Sequence, residues 1–131
     1  MHHFNRREDR LFAENVDVTA LAEHIGTPFY CYSTATLRQH YTRLKDAFAQ
    51  NEVTICYSVK ANSNLGVIAT LADLGSGADV VSEGELRRAL LSGIPAEKIV
   101  FSGVGKTEAE MTYALNAEIA QFNVESRAEL E

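Results

Sequence analysis

The stretch TICYSVKANSNLGVIATLADLGSGADVVSEGELRRALL, residues 54–91, determines the fold, because its hydrophobic pattern alternates between two periods. Residues 54–59 form an apolar, β-branched run typical of a buried strand, and residues 65–74 carry the spacing of a helix. Residues 79–82 predict a second strand, and residues 83–91 predict a second helix. The stretch therefore predicts two strand–helix units in succession.

The same alternation continues toward the end of the chain. Residues 99–102 and 119–124 predict two further strands. Between these strands Thr107 opens a helix, because Glu110 stands three residues later and can reach back to the Thr107 backbone in a capping box. Regular alternation of strands and helices predicts βαβ units in a parallel sheet. Two architectures fit, an open doubly wound sheet and a (β/α) barrel.

The residues before this stretch predict two helices and one more strand. Asp17 is a suitable N-cap for a short helix over residues 17–25. The segment TPFYCYS, residues 27–33, predicts a strand. A long amphipathic helix is predicted from Ser33 to about residue 50. Its apolar stripe comprises Leu37, Tyr41, Leu44 and Phe48.

A second capping-box pattern lies close to the last residue. Ser126 and Glu129 have the S-x-x-E spacing that begins a helix, yet the sequence ends at Glu131. We therefore expect the chain to be a truncated piece of a longer protein. If the fold is a barrel, the piece holds four of eight units.

The composition favours a globular protein that acts on small molecules. The chain has 131 residues, of which 46% are hydrophobic and 23% charged, and its net charge of −6 is spread without a basic block. A nucleic-acid surface is therefore not expected, and no apolar run is long enough for a membrane span. Cys31 and Cys56 lack metal-ligand spacing, so no metal site is predicted. A soluble cytoplasmic protein is the expectation.

The segment SGVGKT, residues 102–107, is similar to the end of a phosphate-binding P-loop, because Gly-Lys-Thr follows a strand and opens a helix. That motif also needs a glycine five residues before Gly105, where this chain has Val100. We therefore interpret the segment as a turn. Its Lys106 is expected to lie in water and to keep its proton.

Lys60 ends the first strand of the quoted stretch, at the edge of a parallel sheet where α/β folds gather reactive groups. Most lysines at strand ends extend into water. A lysine that leaves an apolar strand into a cleft loses its proton more easily and becomes an amine nucleophile toward carbonyls, including the aldehyde of pyridoxal phosphate. Asp79, on the next strand, is expected to pair with that lysine. Helix capping is a sufficient account of Ser82 and Glu85.

Several motifs resemble a known family in order and spacing. TPFYCYS, CYSVKANSNLGVIATLADLGSGADVVSEGEL with its continuation to SGVGKT, and FNVESRAELE are similar to the N-terminal portion of the diaminopimelate decarboxylases. These are barrel-type, fold-type III pyridoxal-phosphate enzymes related to the ornithine and arginine decarboxylases. The resemblance implies the first half of an alanine racemase-like (β/α)8 barrel over residues 33–131. Residues 1–32 would then join a C-terminal β domain and lead into the barrel.

The resemblance also implies a site. Lys60 would carry pyridoxal 5'-phosphate covalently, Asp79 would be the acid beside it, and Ser82 and Glu85 would lie on the cofactor side of the barrel. A common variant in the family reads S-G-G-E-L where this chain has residues 82–86. Its phosphate loop, its Glu-Pro-Gly-Arg segment and the Cys-Glu-Ser element of the second subunit would all lie beyond Glu131.

The implied reaction is the decarboxylation of meso-diaminopimelate to L-lysine and carbon dioxide by a full-length homodimer, with the isolated chain inactive. The alternatives are a related decarboxylase acting on ornithine, arginine or carboxynorspermidine, or a pyridoxal-phosphate carrier without turnover. An inert fragment without a ligand is a further alternative. A racemase of the same fold also uses V-K-A-N, but DVVSEGEL and FNVESRAELE favour the decarboxylases.

Overall fold

The structure is a computed structural model that describes residues 2–131. Two sheets and six helices account for its regular structure. In chain order the elements are β1 Phe4–Arg7, β2 Arg10–Ala13, β3 Val16–Asp17, α1 Val18–Ile25, α2 Thr34–Ala47, β4 Cys56–Ser58, α3 Leu65–Ala72, β5 Gly77–Val80, α4 Glu83–Leu91, β6 Ile99–Phe101, α5 Glu108–Asn116, β7 Gln121–Phe122 and α6 Arg127–Leu130. Single turns of 3₁₀ helix follow β4 and precede β6.

The second sheet is parallel, and its strand order is β4-β5-β6-β7. Each strand is joined to its neighbour by a helix, so the predicted alternation is confirmed. A doubly wound sheet reverses its strand order at a switch point, whereas a barrel adds each strand beside the previous one. The order within residues 2–131 has no reversal and corresponds to four successive barrel units.

The hydrophobic core lies between this sheet and its helices. Val80 and Phe101 are fully buried on the helix-facing side, where they pack with Ile68 of α3 and Leu86 of α4. Full burial of such a side chain stabilises the fold by about 1.5–3 kcal/mol. Because side chains alternate along a strand, the residues next to the core positions face the other, concave side of the sheet. That side carries the polar groups described below.

The first three strands form an antiparallel meander that the sequence analysis did not anticipate. Arg7 pairs with Arg10, so only Glu8 and Asp9 form the first hairpin loop, with φ values of 48° and 62°. Two-residue loops with positive φ match the twist of the flanking strands. Such loops favour Asn-Gly or Asp-Gly, and Glu-Asp is a weak signal for the same turn.

The meander is fastened to the start of α2 through Glu14. Its Oε1 accepts hydrogen bonds from the Ala35 backbone amide at 2.9 Å and from the Ser33 hydroxyl at 2.7 Å. The Ala35 amide bond is the main reason that the pKa of Glu14 lies below its ordinary value. Glu14 therefore caps a helix that begins 20 residues farther along the chain, at Thr34.

The predicted strand over residues 27–33 is wrong. This segment forms no strand, and Tyr30 is 91% exposed. A strand needs a neighbour for its backbone hydrogen bonds, and within residues 2–131 no other strand pairs with this segment. The predicted strands over residues 54–59 and 119–124 are present but shorter.

Helix ends agree more closely with the sequence. The helix predicted over residues 83–91 has those bounds, and Thr107 and Glu110 form the predicted capping box. Ser126 caps α6 as predicted, because its hydroxyl accepts a hydrogen bond from the Glu129 amide. None of the helices formed by residues 2–131 is long and apolar enough to cross a membrane.

Candidate active site

Lys60 lies on a 3₁₀ turn, Val59–Ala61, directly after β4. Val59 is fully buried and fixes the turn to the core. The Tyr57 hydroxyl donates a hydrogen bond to the Asn62 carbonyl oxygen at 3.0 Å and spans the same turn from the other side. The backbone that carries Lys60 is therefore held at both ends.

The Lys60 side chain is exposed, and no residue in the range 2–131 forms a hydrogen bond or an ion pair with its amine. The expectation of an amine kept dry by the preceding strand is therefore wrong for this structure. The turn directs the Val59 side chain into the apolar core, and the Lys60 side chain next to it lies outside the core. The result is an anchored lysine with a free amine.

Asp79 lies on β5, on the concave side of the sheet, because its neighbours Ala78 and Val80 are both core residues. The carboxylate accepts two hydrogen bonds. Its Oδ1 accepts from the Ser102 hydroxyl at 2.6 Å, and its Oδ2 accepts from the Ser58 hydroxyl at 3.3 Å. The partners of Asp79 are thus two serines, and the expected ion pair with Lys60 is absent among residues 2–131.

These serines belong to a set of polar residues, one from the carboxyl end of each parallel strand, that are joined by side-chain hydrogen bonds. We call this set, Ser58, Asp79, Ser102 and Asn123, the polar row. Its members are separated by 21, 23 and 21 residues, which is the length of one strand–helix unit. The polar row was not among the sequence predictions, although the regular spacing of polar residues at strand ends is a signal that could have found it.

Ser82 and Glu85 lie at the N-terminus of α4, where their side chains bind backbone. The Ser82 hydroxyl accepts a hydrogen bond from the Glu85 amide at 3.3 Å. The Glu85 carboxylate accepts from the Val81 amide at 2.9 Å, one residue before the Ser82 amide that a capping box would use. Both residues are half-buried. These contacts use the single hydroxyl oxygen of Ser82 and one of the two carboxylate oxygens of Glu85, and a role toward a ligand stays a prediction.

Lys106 is not in water as expected. Its side chain is 1% exposed and forms an ion pair with Glu129 of α6, whose side chain is 11% exposed. The ammonium also donates to the carbonyl oxygens of Gly103 at 2.7 Å and Asn123 at 2.8 Å. All three donors of the ammonium are used, so Lys106 is not available to a phosphate.

The part of the chain that the structure describes, residues 2–131, contains no group of three or more His, Cys, Asp or Glu side chains placed to hold a metal ion. The site at the carboxyl ends of the strands consists of the free amine of Lys60, the carboxylates of Asp79 and Glu85, and a set of hydroxyl and amide groups. Such a set suits an organic carbonyl compound that forms a covalent bond with an amine.

Comparison with known proteins identifies the family. The model of the family described as pyridoxal-dependent decarboxylase, pyridoxal binding domain, matches residues 34–131. The chain belongs to the pyridoxal-dependent decarboxylases. The diaminopimelate decarboxylase of Vibrio cholerae is 54% identical over 100% of this chain, and that of Haemophilus influenzae is 48% identical over 99%. The chain spans 32% and 31% of the lengths of these relatives.

Solved structures of pyridoxal-dependent decarboxylases have the same fold over nearly the whole chain. A diaminopimelate decarboxylase from M. jannaschii in complex with L-lysine superposes with a TM-score of 0.92 at 41% identity, covering 97% of this chain and 31% of its own. A lysine/ornithine decarboxylase from Vibrio vulnificus superposes with a TM-score of 0.77 at 28% identity, covering 86% of this chain and 30% of its own. The predicted architecture, a set of successive barrel units from such a decarboxylase, is confirmed.

Proposed function

We propose that this chain forms the first half of the barrel of a diaminopimelate decarboxylase and carries pyridoxal 5'-phosphate covalently on Lys60. The whole protein would convert meso-diaminopimelate to L-lysine and carbon dioxide. Residues 33–131 would be the partial barrel, and residues 1–32 would lead into it and join a further β domain. The proposal includes a homodimer in the cytoplasm.

The position and freedom of the Lys60 amine carry this proposal. The amine is exposed at the carboxyl end of β4, on a turn anchored by Val59, and nothing within residues 2–131 occupies it. Lys106 follows a neighbouring strand, but its amine already has three oxygen partners. Of these two lysines, only Lys60 can bond to a carbonyl without first breaking an ion pair.

The residues present fit part of the cofactor. The Lys60 amine suits its aldehyde. The Asp79 carboxylate, fixed by two hydroxyl groups, lies on β5, the strand next to the one that the lysine turn follows. Ser82 and Glu85 follow β5 at the same edge of the sheet and would line the cofactor side. The bound cofactor supplies an electron-withdrawing ring that accepts the electron pair left when carbon dioxide departs.

The chain's own residues would hold and orient the reacting groups. Lys60 would fix the cofactor in place until a substrate amine replaces the lysine amine, and it would restore the linkage when product leaves. The helix-facing core holds the strand ends at constant separation, so the groups after them keep their geometry.

The names of the relatives support the substrate. The relatives from Vibrio cholerae and Haemophilus influenzae are diaminopimelate decarboxylases, and the M. jannaschii enzyme was crystallised with L-lysine. The second candidate is a related decarboxylase acting on lysine or ornithine. The Vibrio vulnificus structure supports it, but at 28% identity against 41% for the M. jannaschii enzyme.

A chimaeric enzyme tests the proposal. Residues 1–131 of this chain would replace the matching 32% of the Vibrio cholerae decarboxylase. Carbon dioxide release would be measured from meso-diaminopimelate, ornithine, arginine and lysine, with the intact Vibrio enzyme as the reference. We expect activity on meso-diaminopimelate. A soluble chimaera that binds the cofactor but prefers another amino acid would overturn the substrate assignment.

A further inference from the structure

The polar row has a direction, because each contact in it uses a defined donor. Gln121 donates from Nε2 to Oδ1 of Asn123 at 2.9 Å. Asn123 donates from Nδ2 to the Ser102 oxygen at 3.0 Å, and Ser102 donates its hydroxyl hydrogen to Oδ1 of Asp79 at 2.6 Å. The hydrogen bonds therefore all run toward the Asp79 carboxylate.

This direction follows from the number of hydrogens available. A serine hydroxyl has one hydrogen and two acceptor lone pairs. Because the Ser102 oxygen already accepts from the Asn123 amide, its hydrogen is left for Asp79. The contact with Gln121 holds the amide of Asn123 with its nitrogen toward Ser102. Without Asn123, the Ser102 hydroxyl could rotate and lose its preference for the carboxylate.

Asn123 is itself held by a buried anchor. The Lys106 ammonium donates to the Asn123 carbonyl oxygen and pairs with Glu129. The second Glu129 oxygen accepts from the Glu125 amide at 2.8 Å, so the turn between β7 and α6 is tied from both sides. The same ammonium binds the Gly103 carbonyl oxygen, which joins this turn to the loop after β6.

We propose that Asn123 is a positioning residue that acts through Ser102 on the Asp79 carboxylate, with the Lys106–Glu129 pair as its anchor. Asp79 also accepts from Ser58, which lies two residues before Lys60. The row thus fixes the carboxylate relative to the strand that ends in the reactive lysine. This inference rests on the proposed role of Lys60.

The first test measures formation of the bond between Lys60 and the cofactor in the chimaera. Apoprotein would be mixed with pyridoxal 5'-phosphate, and the absorption change would be followed over time. Asn123→Ala should slow the reaction by about tenfold, the ratio expected for losing one hydrogen bond that orders a charged group. Asn116→Ala is the matched control. Asn116 is the last residue of α5 and lies toward the amino ends of the strands, away from the polar row at their carboxyl ends, and like Asn123 it is exposed.

Folding of Asn123→Ala is checked beside its rate. Its thermal midpoint in the chimaera is compared with that of the Asn116→Ala control, and a midpoint close to the control shows that slower bond formation does not come from unfolding. Ser102→Ala should slow bond formation by a similar factor, because it removes the next member of the row. A rate for Asn123→Ala equal to that of the control would overturn the inference.

A double-mutant cycle separates positioning from general structural support. If Asn123 acts through Asp79, then Asn123→Ala should have no further effect in an Asp79→Ala background. A general structural role predicts that the two effects multiply, and that result would overturn the inference. The proposed function fails separately, namely when the unaltered chimaera forms no bond at Lys60. That outcome would overturn both proposals.

Discussion

Lys60 and Lys106 both follow parallel strands at the same edge of the sheet, yet their surroundings are opposite. The Lys60 amine is exposed and without a partner within residues 2–131, whereas the Lys106 side chain is 1% exposed and has three oxygen partners. The sequence led us to expect a dry Lys60 and a wet Lys106, and both expectations are wrong.

The difference teaches that partners, and not burial alone, decide which lysine is available for chemistry. At Lys106 a carboxylate and two carbonyl oxygens already bind the ammonium, so this buried lysine is not available to another group. The free lysine lies on a turn whose backbone is anchored, so the base of its side chain is fixed while its amine has no competing bond within residues 2–131.

The largest expected effect comes from removing the free amine. In the chimaera, Lys60→Ala should abolish the covalent linkage to pyridoxal 5'-phosphate and nearly all activity, because no other group replaces the nucleophile. Lys106→Ala should still form the linkage at Lys60, but more slowly, because it removes the anchor of Asn123. The measurement is the visible absorption of the bound cofactor, followed by borohydride reduction and peptide mapping. A reduced adduct on Lys106 would reverse the assignment of the two lysines.

The 131-residue chain alone should have turnover near background. It spans 32% of the length of its Vibrio cholerae relative, and each missing electrostatic contact to the transition state is worth about 3 kcal/mol. The measurement is carbon dioxide release by the purified chain with saturating cofactor. Release that disappears on Lys60→Ala would show that Lys60 and its neighbours suffice for catalysis.

Substitution of Lys106 should reduce stability more than substitution of Lys60, which is the reverse of their expected effects on activity. Lys106→Met should lower the free energy of unfolding, because it leaves the Glu129 carboxylate and the carbonyl oxygens of Gly103 and Asn123 without the ammonium that they share. Lys60→Met, the same substitution at the free lysine, should change it by less than about 0.5 kcal/mol. Urea unfolding of the 131-residue chain measures both. Equal losses at the two positions would mean that the Lys106 pair is not a stabilising contact.

The smallest expected effect is a pH dependence of the same pair. The hydrogen bond from Lys106 lowers the pKa of Glu129 below the ordinary value of 4.5. A carboxyl whose pKa is lower in the folded state stabilises the fold above its unfolded pKa, and the contribution is lost as the pH falls through the lowered value. Stability should therefore decline below about pH 4.5, and less steeply in Glu129→Gln.

Other carboxyl groups also contribute to the loss of stability at low pH, and the comparison with Glu129→Gln controls for them. Glu14 and Glu110 also have lowered pKa values, owing mainly to the backbone amides of Ala35 and Thr107. Both remain in Glu129→Gln, so the difference between the two urea-midpoint curves isolates Glu129. Identical curves for the two proteins would argue against the ion pair.

Local signals made much of the barrel predictable. The cap residues Ser82, Thr107 and Ser126 begin helices as expected, because a cap depends on side chains within three residues of it. The existence of the four parallel strands was also predictable from their apolar runs. The absence of a strand at residues 27–33 and the lengths of β4 and β7 were not, because pairing with a neighbour decides whether a strand forms and where it ends.

The sequence was sufficient to predict which residues form the candidate site, but not which of them contact each other. Lys60 and Asp79 were identified from strand-end position and from resemblance, but which groups bind Asp79 depends on the alignment of four strands. Register places Ser58 beside Asp79, and no local pattern specifies that. Lys106 was misjudged because its partner, Glu129, lies 23 residues away, beyond any local pattern.

The bond between Glu14 and the Ala35 amide couples two parts of the chain that share no strand pairing. The first turn of α2 keeps this amide protected only while the meander is in place. In a hydrogen-exchange experiment the Ala35 amide should therefore exchange at the rate at which the meander opens, and not at the rate of helix fraying. A single backbone amide thus reports the cooperativity between the N-terminal sheet and the barrel.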